Sequence, residues 1–110
     1  MYQNNNGNRK TIIPEELKKR LDANEKINLV DVREPDEHRE FNIGGTLLPL
    51  GNIMSMATDE IEALKNEEVI CYCRSGKRSM QATMMLETFG FTNVKNLSGG
   101  MMEWKEKFDS

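Results

Sequence analysis

The chain has 110 residues, 30% charged and 37% hydrophobic, the balance of one folded domain of ordinary size with room for a core. A formal net charge of -3 excludes general affinity for nucleic acid, which needs an overall basic face. No apolar run approaches the roughly 20 residues of a membrane span, so no membrane partner is expected.

Residues 1–10 read as a disordered polar tail, because Met1 to Asn8 is rich in asparagine and has no apolar core of a secretory signal. The folded part runs from Thr11 to Phe108. Thr11-Ile12-Ile13 is a short strand candidate, and Pro14 suits the first turn of a helix over Glu15 to Leu21, with acids early and bases late. Asp22 to Lys26 is a polar connection. Ile27 to Val32 is a second strand, continuous enough in apolar character to be buried on both faces. Arg33-Glu34-Pro35-Asp36 ends it, and Asp36 to Phe41 makes a short helix. Ile43 to Leu50 holds two glycines and then Leu47-Leu48-Pro49-Leu50, read as a turn and a third strand. Thr58 opens a capping pattern for a helix to Lys65 with Ile61 and Leu64 on one face. Val69 to Cys73 is a fourth strand, Gly76 to Thr88 a helix stopped by Gly90, Asn93 to Leu97 a fifth strand, and Met101 to Phe108 a terminal helix carrying Trp104. Strands that alternate with helices imply parallel pairing through right-handed crossovers, hence an α/β fold. The eight methionines are read as flexible core filler on the helices.

Chemistry concentrates at Cys73-Arg74-Ser75-Gly76-Lys77-Arg78-Ser79, where a buried strand ends in a cysteine, a basic glycine-containing turn and a helix start. Open α/β sheets bind ligands at the carboxyl ends of their strands, and loop amides with a helix N-terminus make a positive concavity there. Arg74, Lys77 and Arg78 add full charges. A thiol in that field loses its proton more readily than a free cysteine, whose pKa is about 8.5, and the thiolate is the nucleophile. The plain alternative is a small buried hydrophobe, but a cysteine kept only for packing has no use for a cationic turn after it. Cys71, inside the apolar run, takes that plain reading. The two cysteines, one residue apart, are ill placed to bridge each other and are read as reduced thiols of a cytoplasmic protein. One histidine and two cysteines with no suitably spaced carboxylates do not make a zinc site, and no metal or cofactor is expected.

Three motifs in order then resemble a known family. Asn28-Leu29-Val30-Asp31-Val32-Arg33-Glu34, Cys73 to Arg78, and Leu97-Ser98-Gly99-Gly100-Met101-Met102-Glu103-Trp104 are similar to the first signature, the catalytic loop and the C-terminal signature of single-domain rhodaneses. The resemblance spans about Thr11 to Phe108. It implies a three-layer sandwich, a small, mostly parallel sheet of about five strands with helices on both faces. It also implies a sulfurtransferase, with Cys73 as the catalytic nucleophile and Asp31 and Arg33 as braces behind the site; the plain alternative for that pair is a strand-end ion pair with no role in the site. In one segment the chain departs from the family pattern. Asn42 stands where a histidine is usual and Gly44 where a proline is usual, which predicts a more flexible turn.

In the chemistry so implied, the Cys73 thiolate takes the outer sulfur of thiosulfate or a persulfide, and a nucleophilic acceptor, cyanide or a thiol, removes it. The amides of Arg74, Ser75, Gly76, Lys77, Arg78 and Ser79 hold the persulfide, and the three cations orient the donor's sulfonate. A thioredoxin-like protein or a cysteine desulfurase are the protein partners that fit. Two other classes use related frames. Phosphatases and arsenate reductases place an arginine after five intervening residues, whereas Arg78 follows Cys73 after four, a tighter ring. Non-catalytic rhodanese-like binding modules usually lack the cysteine, which is present.

Overall fold

The computed structural model describes residues 10–108, so the polar tail, Lys10 excepted, lies outside the described residues. Five strands, β1 (Thr11–Ile12), β2 (Asn28–Asp31), β3 (Thr46–Leu47), β4 (Glu68–Tyr72) and β5 (Asn93–Leu97), form one sheet in the order β1-β5-β4-β2-β3. Every pairing is parallel. The helices are α1 (Pro14–Asp22), α2 (Pro35–Glu40), α3 (Leu50–Met54), α4 (Lys77–Thr88) and α5 (Gly100–Phe108), with a 3-10 helix over Asp59–Leu64.

The order dictates the layers. From β1 the chain steps across to β2 and on to β3, then returns to β4 and β5. Right-handed crossovers in opposite directions cover opposite faces. The strands alternate accordingly. Val30, Val32, Val69, Cys71 and Cys73 pack with Ile53, Ile61, Ala82 and Leu86 on the α3 and α4 side. Leu29, Ile70, Tyr72 and Leu97 pack with Leu17, Met101 and Trp104 on the α1 and α5 side. Residues 69–72 of β4 are wholly buried, and each large apolar side chain there contributes about 1.5–3 kcal/mol. Cys73 therefore leaves the most firmly held strand of the sheet.

Two elements differ from the sequence expectation. The third strand is shorter, and an unexpected α3 starts at Leu50, because Pro49 offers no N–H to a ladder yet suits a helix start. Leu48 and Leu50 still donate to the carbonyls of Asp31 and Val32 at 2.8 and 3.0 Å, so the segment stays zipped to β2. The expected helix over Thr58 to Lys65 is a 3-10 helix. Its apolar contacts, Ile61 and Leu64, are spaced three apart, a spacing that aligns them on three residues per turn.

β2 and β4 are neighbours, yet their outgoing connections leave on opposite faces. The crevice at their carboxyl ends is the topological switch point, where such sheets bind ligands.

Candidate active site

Cys73 stands at that crevice, 1% exposed. The chain turns through Arg74, Ser75 and Gly76 into α4, and Gly76 takes φ +100°, a conformation that costs side-chain-bearing residues. The turn folds the first amides of α4 back over the sulfur. Sγ accepts from Gly76 N–H at 3.1 Å, Ser79 N–H at 3.3 Å and the Ser79 hydroxyl at 3.4 Å. Burial pushes the thiol pKa up. The Ser79 hydroxyl and the amides of Ser79, Gly76 and Ser75 outweigh it and hold the pKa below the ordinary value. Cys71, on the same face but without such donors, is pushed up to about 12, mainly by burial. The two thiols are thus separated chemically by the hydrogen bonds that Cys73 receives and by the deeper burial of Cys71.

The loop is shaped from behind by α5. Met101 N–H donates to the Cys73 carbonyl at 2.8 Å and Met102 N–H to the Arg74 carbonyl at 2.9 Å. In a trans peptide C=O and N–H point oppositely, so fixing those carbonyls on α5 turns the Arg74 and Ser75 amides away from it. Close approach is the condition. A Cβ on Gly100 would lie 2.5 Å from the carbonyl oxygens of Cys73 and Arg74.

At the end of β2, Asp31 accepts from the Arg33 backbone N–H at 3.0 Å, from Arg33 Nε at 2.9 Å and Nη2 at 2.7 Å, and contacts His38 Nδ1 at 2.8 Å. Burial raises the pKa of its carboxyl, but these partners prevail and lower it. Arg33 also donates to the Phe41 carbonyl at 2.5 Å and lies over the Tyr72 ring. The Tyr72 hydroxyl in turn accepts from the backbone of Ile43 and Gly45. Asp31 and Arg33 thus tie β2, α2 and the segment before β3 into one buried brace.

A rhodanese-like domain model matches residues 13–107. The chain belongs to the rhodanese-like domain family. It is 40% identical over 91 residues to a sulfurtransferase of Allochromatium vinosum, covering 82% of each chain. To the putative sulfur carrier protein YrkF of Bacillus subtilis it is 35% identical over 94 residues, 84% of this chain but only 49% of that one, so it spans about half of that relative. The structure of human single-domain sulfurtransferase TSTD1 superposes with a TM-score of 0.75 at 28% identity, over 89% of this chain and 96% of that one. These likenesses support a rhodanese-type sulfurtransferase.

Within this rhodanese domain the loop cations are not equivalent. Arg78 points to α2, where Glu37 receives both of its terminal nitrogens, at 2.8 and 2.9 Å. Glu37 also accepts the Glu34 backbone N–H in a capping box, and the Arg78 pairing above all holds its pKa down to about 2. Arg74 and Lys77 have no ion pair among the described residues. Arg74 faces a cavity of about 390 Å³ lined also by Arg33, Glu37, Glu40, Phe41, Met101, Met102 and Lys105.

The departure at residues 42–44 is a compensated one. Gly44 has φ +96°, which proline's ring forbids, and Asn42 donates to the His38 carbonyl at 2.9 Å while accepting the Gly44 N–H at 2.8 Å. The turn expected to be loose is closed by its own asparagine.

Sequence reasoning missed Glu37 and Asn96. The first was signalled only by its place in the first turn of α2. The second, a buried amide that bonds Ser79 and the Gly76 carbonyl, was signalled by a polar residue inside an apolar strand. Among the described residues no group of three or more His, Cys, Asp or Glu is placed to hold a metal ion, and no helix is long and apolar enough to cross a membrane.

Proposed function

We propose that this rhodanese domain carries a sulfane sulfur from thiosulfate, or from a protein or small-molecule persulfide, to a thiol or cyanide through a persulfide on Cys73. One observation carries the reading. Sγ is almost buried yet receives three hydrogen bonds suited to an anion, from two amides and one hydroxyl. A ring of that size fits a sulfur atom.

The thiolate attacks the outer sulfur of thiosulfate, the new S–S bond forms as the bond to the sulfonate sulfur breaks, and sulfite leaves with that electron pair. Charge balances, with a thiolate and a dianion giving a persulfide anion and sulfite dianion. Sulfite departs without a proton, so the step needs no general acid. The amides that α5 turns away from itself support the terminal sulfur. Arg74 and Lys77, without an ion pair among the described residues, meet the donor's sulfonate, whereas Arg78 is neutralised by Glu37 and serves to anchor α4 to α2. The acceptor returns the enzyme to thiolate by attacking the outer sulfur. The cavity beside Arg74 suits a small thiol with carboxylates, since Arg74 and Lys105, the latter over the Phe41 ring, place cations on its wall.

The test is an intact mass after exposure to thiosulfate. One added sulfur, lost on treatment with cyanide and absent from Cys73→Ser, is expected. No adduct with thiosulfate or with a persulfide donor overturns the reading.

A further inference from the structure

A polar side chain in a buried strand needs partners, and Asn96, 4% exposed on β5, has two. Its Nδ2 donates to the Gly76 carbonyl at 3.2 Å, and its Oδ1 forms a short hydrogen bond with the Ser79 hydroxyl. A carbonyl only accepts, so the Gly76 contact assigns the amide orientation and leaves Oδ1 facing Ser79. Oδ1 also only accepts, so the hydrogen between them belongs to Ser79. Ser79 Oγ in turn lies 3.4 Å from Cys73 Sγ, and Ser79 is wholly buried. One hydroxyl hydrogen therefore has two claimants.

We propose that Asn96 is a positioning residue which, with Ser79, forms a two-position hydrogen-bond switch following the charge on Cys73. With Cys73 ionised, Sγ is the stronger acceptor and takes the hydroxyl hydrogen. When Sγ bonds a sulfane sulfur it becomes a neutral divalent sulfur, and the negative charge moves to the outer atom. The hydroxyl then rotates about its C–O bond and returns to Asn96 Oδ1. No proton is transferred and nothing is oxidised in the rotation. Without Asn96, the loaded enzyme would leave a buried hydroxyl facing only a neutral sulfur, a weak acceptor.

The loaded half of this cycle rests on the persulfide reading above; the competition for the hydrogen in the free enzyme does not. The titratable and charged groups around Cys73 are Cys71 on β4, Arg74 in the loop, Lys77 and Arg78 on α4, the Asp31–Arg33 pair at the end of β2, Glu37 on α2 and Lys105 on α5. None of them hydrogen-bonds the Ser79 or Asn96 side chain, and β5 presents the uncharged Asn96.

Asn96→Leu, Ser79→Ala and the double variant are compared by two measurements. One is the pH midpoint of Cys73 alkylation by iodoacetamide, and the other is the loaded-to-free ratio by intact mass at a fixed thiosulfate-to-sulfite ratio. Ser79→Ala removes a donor to the thiolate and is expected to raise both the midpoint and the loaded ratio. Asn96→Leu removes the competing acceptor and is expected to lower both, the ratio by about fivefold for one neutral hydrogen bond. The double variant should match Ser79→Ala, because Asn96 acts through the hydroxyl. Asn96→Ala carries the same expectation should leucine fail to fold. A role confined to holding Gly76 would instead raise the midpoint in Asn96→Leu and persist in the double variant, which overturns the proposal. If the parent takes up no sulfur from any donor, the reading of the reaction fails, while the opposite shifts in alkylation midpoint still decide the competition for the hydrogen.

Discussion

Replacing Gly100 by alanine tests the contact on which the shape of the loop depends. The residue has φ +57°, and a left-handed conformation costs an L side chain about 1–2 kcal/mol. Its new Cβ would lie 2.5 Å from the Cys73 and Arg74 oxygens and 2.6 Å from the Arg74 carbonyl carbon, all backbone atoms that no rotamer change removes. Ordinary contact requires the start of α5 to retreat by about an ångström. That retreat stretches the bonds from Met101 and Met102 to the same two carbonyls, at about 0.5–1.5 kcal/mol each. The sum is about 2–5 kcal/mol, within the 5–15 kcal/mol that holds a typical domain, so the variant should fold with a lowered melting temperature. Activity should suffer as well. A misplacement of that size costs on the order of 100-fold when reacting groups depend on alignment. Thiocyanate formation from thiosulfate and cyanide, read beside a urea melt, checks both. A Gly100→Ala protein with parental rate and stability would refute the claim that α5 sets the loop's amide directions.

Three further outcomes are expected. Cys73→Ser should abolish sulfur transfer while Cys71→Ser keeps most of it, and at neutral pH iodoacetamide should label Cys73 alone, because burial holds the Cys71 pKa at about 12; peptide mapping of the labelled protein checks this. Glu37 ionises at about 2 in the fold, so its contribution to stability is full above the ordinary carboxylate pKa of about 4.3 and is lost as pH falls toward about 2. Glu37→Gln should therefore flatten the acid limb of a stability-versus-pH curve in that window, and an unchanged limb would mean that the Arg78 pair does not persist in solution. An aryl phosphate such as p-nitrophenyl phosphate should not be hydrolysed, since the one arginine at the end of the loop is committed to Glu37; phosphatase activity lost with Cys73→Ser would contradict that.

Local patterns in the sequence determine much of this molecule. Alternation along residues 68–73 places Cys71 and Cys73 on one face and Ile70 and Tyr72 on the other, and the strand–turn–helix order puts a nucleophile at a strand's carboxyl end. Gly76 and Gly99-Gly100 mark tight turns that side chains resist, and both proved to be where the backbone needs φ above zero. Periodicity reports which side chains are buried, but it carries no information on which distant elements become neighbours. The sheet order alone brings α2 against the first turn of α4, so that Glu37 cancels Arg78, while Arg74 and Lys77 have no ion pair among the described residues. The same order sets β5 beside β4, where Asn96 reaches Ser79 and Gly76. A 3-10 helix where an α-helix is expected, and an asparagine that closes a turn lacking its usual proline, likewise depend on contacts and dihedral angles that exist only once the chain has folded.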